Sequence, residues 1–297
     1  MITLENLGKS FDGKIAVQNL SFTIKNGEIF SLLGPNGAGK TTTIRMLSGI
    51  IKPTWGNAFY DSLSILDSPD KIRKNIGLLP ENPGFYDRLS GYDNLKFFAK
   101  LYGINDLDER IKNYLKDFDL LDHMEKPFGT YSKGMKQKLA IVRAIMHDPE
   151  YLFLDEPTAS LDPQSAKWVR DFIKSIRNEG KTVLLCTHNL NEAEILSDRI
   201  AILKNKLIAV GSPEELKREL FGNSIIFEYN GEEEKIKSAL NSINIVYEIR
   251  DKKLKIYLDN EKQIPQIIKL LLDSGIDVYY VYKEKHTLED IYLEMLK

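Results

Sequence analysis

Residues 34–42 read G-P-N-G-A-G-K-T-T. Gly34, Gly39, Lys40 and Thr41 fit the spacing G-x-x-x-x-G-K-[ST], and each residue type there has a physical reason. Backbone N–H groups can wrap a triphosphate only where no Cβ intervenes, hence Gly34, Gly37 and Gly39 among Pro35, Asn36 and Ala38. Lys40 is a point charge for the β- and γ-phosphates. The Thr41 hydroxyl suits Mg²⁺, and with Thr42 it opens a helix whose positive end adds to the field. The glycines do not match G-x-G-x-x-G, so a dinucleotide site is unsupported.

Asp155 and Glu156 follow the apolar run Tyr151-Leu152-Phe153-Leu154. A run like that predicts a strand buried on both faces, with the two carboxylates at its carboxyl end, where open α/β sheets hold ligands. Asp155 there suits the Mg²⁺ shell, usually through water, and Glu156 can polarise an attacking water. His188 ends a second such run, Thr182–Cys186, and reaches the same sheet edge, where it can donate to the γ-phosphate. A further anion-binding pattern lies in T-Y-S-K-G-M-K-Q-K-L at 130–139. Ser132 is a capping hydroxyl, Gly134 lets backbone approach, and open N–H groups follow. The plainer alternative is that Ser132 only caps its own helix.

The elements that must carry these residues alternate. Ile2–Leu7 and Lys14–Ile24 read as β, with a turn at Asn26-Gly27. Ile29–Leu33 is a short strand running into the glycine loop, followed by a helix to about Ile50 that Pro53 prevents from continuing. Asn57–Tyr60 and Ile76–Leu79 are further strands. Between about 83 and 147 the spacing turns helical, over Tyr92–Tyr102, Asp108–Phe118 and Lys133–Met146. Asp162, Pro163 and Gly180 bound another helix. Asn191–Leu196 is a short helix, Arg199–Val210 a hairpin, and Pro213 to about Leu220 a last helix. Strands alternating with helices imply an α/β fold with a mostly parallel sheet, and the antiparallel start reads as a side sheet. After Gly222 the order becomes β-α-β-β-α-β: Ile225–Tyr229, Glu232–Leu240, Ile245–Arg250, Leu254–Leu258, Ile264–Asp273 and Val278–Tyr282. That is a ferredoxin-like α+β unit, followed by a helix over Thr287–Leu296. The spacing thus predicts one domain over residues 1–222, with a helical subdomain at about 83–147, and a small one over 223–297.

Bulk properties narrow the function. The 297 residues carry a net charge of −2, so no strong field draws the chain to nucleic acid. The one cysteine, Cys186, cannot form an internal disulfide and sits in an apolar run, as a small buried residue would. The start has no signal-peptide pattern, and no 18-residue apolar stretch could span a bilayer, so any membrane-spanning part must come from a partner.

With these residues in place, residues 1–220 resemble an ATP-binding cassette (ABC) ATPase, with its motifs in the family's order. The resemblance makes Phe11 the aromatic that stacks on adenine and residues 34–42 the Walker A loop, a P-loop NTPase feature. Y-S-K-G-M at 131–135 is similar to the signature, commonly L-S-G-G-Q. L-D-E-P at 154–157 corresponds to Walker B, Ser160, Leu161 and Asp162 to the D-loop, and His188 to the switch histidine. Glu81 stands at the Q-loop position, where the family most often has Gln; it could accept bonds from metal-bound water. Lys133 and Met135 are the signature's departures. Both departures, and the small domain ending T-L-E-D-I-Y-L-E-M-L, resemble a branch of transporter subunits with a separate membrane chain, often exporters.

The resemblance implies ATP and Mg²⁺ as ligands. It implies a head-to-tail dimer, homo- or heteromeric, in which Ser132, Lys133, Gly134 and Met135 face the γ-phosphate held by another chain's Lys40. It also implies a membrane-spanning permease partner, pulled through the helical insertion near Asn82–Ser90, and a peripheral place on the cytoplasmic side of the membrane. The rival is a soluble ABC protein acting on nucleic acid or ribosomes. Such relatives usually carry two cassettes, long coiled coils or zinc-binding cysteines. This chain has one cassette, one cysteine and no basic stripe. A nucleotide-sensing regulator would need a defective site, and the set of residues is complete.

Overall fold

The computed structural model describes residues 1–104, 107–241, 243, 245–258, 260–284 and 286–295. In chain order its first elements are β1 (Ile2–Phe11), β2 (Lys14–Ile24), β3 (Ile29–Leu33), α1 (Lys40–Leu47), β4 (Trp55–Tyr60), β5 (Leu63–Ser64), α2 (Pro69–Arg73), β6 (Ile76–Leu79), α3 (Gly91–Leu101), α4 (Leu107–Asp117) and α5 (Lys133–Ile145). There follow β7 (Tyr151–Asp155), α6 (Pro163–Asn178), β8 (Thr182–Thr187), α7 (Leu190–Leu196), β9 (Arg199–Leu203), β10 (Leu207–Gly211) and α8 (Pro213–Phe221). The last are β11 (Ser224–Asn230), α9 (Glu233–Asn241), β12 (Tyr247–Arg250), β13 (Lys253–Tyr257), α10 (Ile264–Asp273), β14 (Asp277–Lys283) and α11 (Leu288–Met295).

Contacts divide the chain into Met1–Pro213 and Glu214–Lys297. Helix α8, expected to close the first domain, therefore groups with the second unit. In the first unit a six-stranded sheet has the order β10-β9-β3-β8-β7-β6, parallel except for the β9–β10 hairpin. Strands β3, β7 and β8 are buried at every residue. Their alternate residues feed two cores, as the two-residue period of a strand requires. Leu152, Leu154, Val183 and Leu185 join α5 and α6 on one face. Phe30, Leu32, Phe153, Leu184 and Cys186 join α1 and the antiparallel sheet β2-β1-β4-β5 on the other.

Two local outcomes differ from the spacing. Helix α1 stops at Leu47, not near Ile50. Ser48 folds its Oγ onto Ile44 O at 2.8 Å, and Gly49 turns left-handed at φ +66°. The stop is thus a glycine reversal and not Pro53. Helix α2 has five residues, too few for a periodic pattern to register. In the second unit the sheet order β12-β13-β11-β14, all antiparallel, with α9 and α10 over one face, is the ferredoxin-like arrangement. Leu296, in the expected last helix, lies outside the described residues.

Candidate functional site

Parallel register brings the chemistry to one edge. Leu33 pairs with Thr187, and Cys186 with Asp155. The next residues, Gly34, His188 and Glu156, therefore all leave the sheet at the carboxyl ends of neighbouring strands. A cavity of about 580 Å³ opens there, lined by Phe11, Ala16, residues 36–42, Glu81, Glu156, Ala159 and His188.

Loop 34–39 is held tightly from behind. A Cβ at Gly34 would sit 2.5 Å from Leu203 O, and one at Gly39 (φ +97°) 2.8 Å from Ala16 O. Asn205, in the β9–β10 turn, ties the loop to the side sheet. Its Nδ2 donates to Ala16 O at 3.1 Å and Gly37 O at 3.3 Å, and its N–H donates to Ala38 O at 3.1 Å. The sequence showed that hairpin but gave no sign that it braces the phosphate loop.

Lys40 is buried, its Nζ donating to Gly34 O at 2.7 Å and Pro35 O at 3.3 Å and lying 3.7 Å from Glu156 Oε1. His188 Nδ1 is 2.8 Å from the same Oε1. A carboxylate only accepts, so Nδ1 carries the proton and Nε2 of a neutral ring is an acceptor. Glu156 has a left-handed φ of +51°, and its N–H donates to Cys186 O at 2.9 Å.

Asp155 lies behind this pair at 3% exposure, and its Oδ1 has no hydrogen-bond partner among the described residues. Burial pushes its carboxyl above the ordinary range; the Thr41 hydroxyl and Lys40 pull it down, while Glu156 and Glu81 push it up. An orphaned carboxylate oxygen beside a hydroxyl is a donor set that fits Mg²⁺, a hard cation that takes oxygen ligands. Among the described residues no cluster of three or more His, Cys, Asp and Glu assembles. The protein would thus supply few ligands, which is how Mg²⁺ binds when phosphates and water complete its shell.

Helix α5 presents a separate surface. Ser132 caps it, its Oγ accepting from Met135 N–H at 3.2 Å. Ser132, Gly134 and Met135 do not line the first cavity. Lys133 lines a neighbouring one of about 450 Å³ together with Glu81, Glu156, Ser160 and Leu161. Met135 packs partly buried against the core. A Cβ on Gly134 would come 2.5 Å from Ser165 Oγ, so this glycine also permits close packing of α5 on α6. Asp162 caps α6, accepting from Gln164 N–H and Ser165 N–H at 3.0 Å each and from Ser165 Oγ at 2.6 Å. Those bonds hold its carboxyl below the ordinary range, Ser165 most of all. Phe11 ends β1 at the cavity mouth, 47% exposed, with Lys9 Nζ 5.1 Å from its ring centroid.

Glu192 joins the site from outside any motif. It is 2% exposed, accepts from Thr158 Oγ1 at 2.7 Å and Thr187 Oγ1 at 2.8 Å, and so ties the loop after Glu156 to the strand end before His188. No spacing signal marks it, because its partners lie 34 and 5 residues away.

Comparison with known proteins agrees with this geometry. The ABC transporter family profile matches residues 17–159, and the profile of the C-terminal domain of DrrA1-3-like ATP-binding proteins matches 211–296. An uncharacterized ABC transporter ATP-binding protein of Bacillus subtilis (strain 168), YhcH, is 37% identical over 99% of this chain and 95% of its own length. The linearmycin resistance ATP-binding protein LnrL of the same organism is 32% identical over 99% and 98%. A fluoroquinolones export ATP-binding protein of Mycobacterium tuberculosis is 40% identical over 73% of this chain and 72% of its own. Among solved structures, an ATP-binding subunit of an ABC transporter superposes with a TM-score of 0.68 at 29% identity, covering 75% of this chain and 94% of that one. A dimeric ATP-binding cassette in a post-hydrolysis state with ADP and phosphate superposes at 0.65 and 27%, covering 71% and 98%. A P-loop edge with its carboxylate–histidine pair, and full-length likeness to such subunits, make this chain a member of the ABC transporter family: an ATP-binding, ATP-hydrolysing subunit.

Proposed function

We propose that this chain hydrolyses MgATP at an interface between two cassettes and drives a separate membrane permease, in the direction of export. Two relatives named for linearmycin resistance and fluoroquinolone export support the direction. Among the described residues no helix is long and apolar enough to cross a membrane, so the spanning part belongs to a partner. A peripheral position on the cytoplasmic face, where ATP is present, follows from that division of labour.

The observation that carries the mechanism is the chain of contacts Lys40 Nζ–Glu156 Oε1–His188 Nδ1, at 3.7 Å and 2.8 Å. The γ-phosphate of ATP competes with Glu156 for Lys40, because it is the denser anion. Glu156 is then free to accept a proton from a water that attacks the γ-phosphorus as the bond to the bridging oxygen of ADP breaks. The Nδ1–H of His188 is spent on Glu156. We assign that N–H to a γ-phosphate oxygen once nucleotide separates the pair. Thr41, Asp155 and, through water, Glu81 would hold Mg²⁺, which supplies charge neutralisation to the phosphates when bound. Phe11 offers its exposed ring to the base. Ser132, Lys133, Gly134 and Met135 close on the nucleotide of the facing chain, with Ser160, Leu161 and Asp162 between the two sites.

The test is Glu156→Gln. Nucleotide binding, followed by a fluorescent ATP analogue, should persist; steady-state hydrolysis should fall at least about 100-fold. Size-exclusion chromatography with ATP should then show a trapped dimer. Near-normal turnover in this variant removes Glu156 from the role of base.

A further inference from the structure

A second cavity, of about 210 Å³, opens among α4, α5 and α6 in the first unit. It lies at the amino ends of β7 and β8, where Leu152 is the second residue of β7 and Lys181 immediately precedes β8. The candidate nucleotide site uses the carboxyl ends of the same strands, and the two cavities share no lining residue. Ile145, Leu152 and Ile176, all buried, give the second cavity apolar surface. Tyr114, Phe118 and Phe172 give it aromatic surface, with ring centroids 6.5 Å apart for the first two and 5.5 Å for the last two. Its room equals the liquid volume of about seven waters, which suits a small molecule and not a peptide.

The charge around this cavity is one-sided. Asp117 ends α4, Ile145 ends α5 and Glu179 caps the carboxyl end of α6, so the negative ends of three helices meet at one small space. Three carboxylates line it, those of Asp117, Asp148 and Glu179, against one ammonium, that of Lys181. Lys181 Nζ lies 2.5 Å from Asp148 Oδ1, and Arg110 acts on the same carboxylate, so Asp148 is balanced. The side chains of Asp117 and Glu179 make no hydrogen bond or ion pair among the described residues. Such a space repels anions and offers a bare metal ion too few ligands, since no cluster of three or more His, Cys, Asp and Glu assembles among the described residues. A cation with an apolar body meets both demands, because aromatic rings attract cations and the buried aliphatic groups take the rest. We propose that this cavity binds a small organic ammonium ion, its apolar part against Phe118, Phe172 and Leu152 and its charge beside Asp117 and Glu179. This site does not rest on the reading of the nucleotide site.

The experiment uses the full-length chain without nucleotide and three probes of nearly one shape: phenethylammonium, neutral 2-phenylethanol and anionic phenylacetate. Saturation-transfer NMR titrations give each Kd. The cation should bind at least about fivefold more tightly than the alcohol, and the anion most weakly. Asp117→Asn combined with Glu179→Gln should weaken the cation about fivefold and leave the alcohol unchanged. Both substitutions keep side-chain size at exposed helix ends, and circular dichroism should show the protein folded. A control with the same change in net charge, Glu233→Gln combined with Glu234→Gln on α9 of the second unit, should leave all three affinities as they were. Equal affinity for cation and alcohol overturns the proposal. So does a loss of cation binding no larger than in the control, or the absence of saturable cation binding below about 10 mM.

Discussion

Glu192 illustrates what a single residue contributes here. Both its carboxylate oxygens accept threonine hydroxyls, yet burial raises its pKa above the ordinary glutamate value, with Thr158 and Thr187 opposing. Between the ordinary and the raised value the folded state holds a proton that the unfolded state has lost. This group's contribution is therefore greatest at low pH and is lost as pH rises through the folded pKa. Glu192→Gln removes the titration, so its stability deficit relative to wild type should shrink between pH 5 and pH 8. Urea denaturation at both values checks this; a deficit that grows with pH would contradict it. Glu192→Ala leaves the buried Thr187 hydroxyl and the half-buried Thr158 hydroxyl without their acceptor and should cost about 1–3 kcal/mol. Because Glu192 positions the Glu156 and His188 segments, kcat should fall more than ATP affinity. Equal losses in both would make its role merely structural.

At the scale of elements, the start of α5 is decisive. Ser132 caps it and Gly134 lies against Ser165. Ser132→Arg should leave ATP binding by the isolated chain intact and abolish hydrolysis, because its proposed ligand belongs to the facing cassette. Failure to bind ATP at all would contradict that assignment. Gly134 has two roles to separate, backbone approach to a phosphate and packing on α6. Gly134→Ala should lower stability by about 1–3 kcal/mol through overpacking. Adding Ser165→Ala removes the Oγ that the new methyl meets and should recover much of that stability, read by thermal melting. Hydrolysis should stay low in the double variant; full recovery of turnover would assign Gly134 to packing alone.

At the scale of the whole molecule, two units each with a core of their own predict two unfolding transitions. On the proposed site MgATP binds only the first unit. At a free concentration 100 times its Kd it should stabilise that transition by about 2.7 kcal/mol and leave the second unmoved. Hydrogen exchange with mass spectrometry separates the two. A single transition shifted as one block would show that the units unfold together. Much of this architecture was legible because strands β3, β7 and β8 are continuous apolar runs and the ferredoxin-like unit alternates cleanly. Helix α2 and the end of α1 were not, since five residues carry no period and a Gly49 reversal competes with Pro53 as a stop signal.

By itself the sequence marked the candidate phosphate loop, the carboxylate pair after β7 and the histidine after β8. Their residue types at fixed local spacing are set by what a polyphosphate demands of its neighbours. It also determined the two-part α/β and α+β division, through periodicity. Only the tertiary structure decided which distant residues hold those groups in place. Asn205 braces the loop, Glu192 ties Thr158 to Thr187, and Asp155 keeps a buried oxygen with no partner among the described residues. These are contacts between chain segments far apart in number, formed by the order in which parallel strands stack, and no local pattern encodes that order.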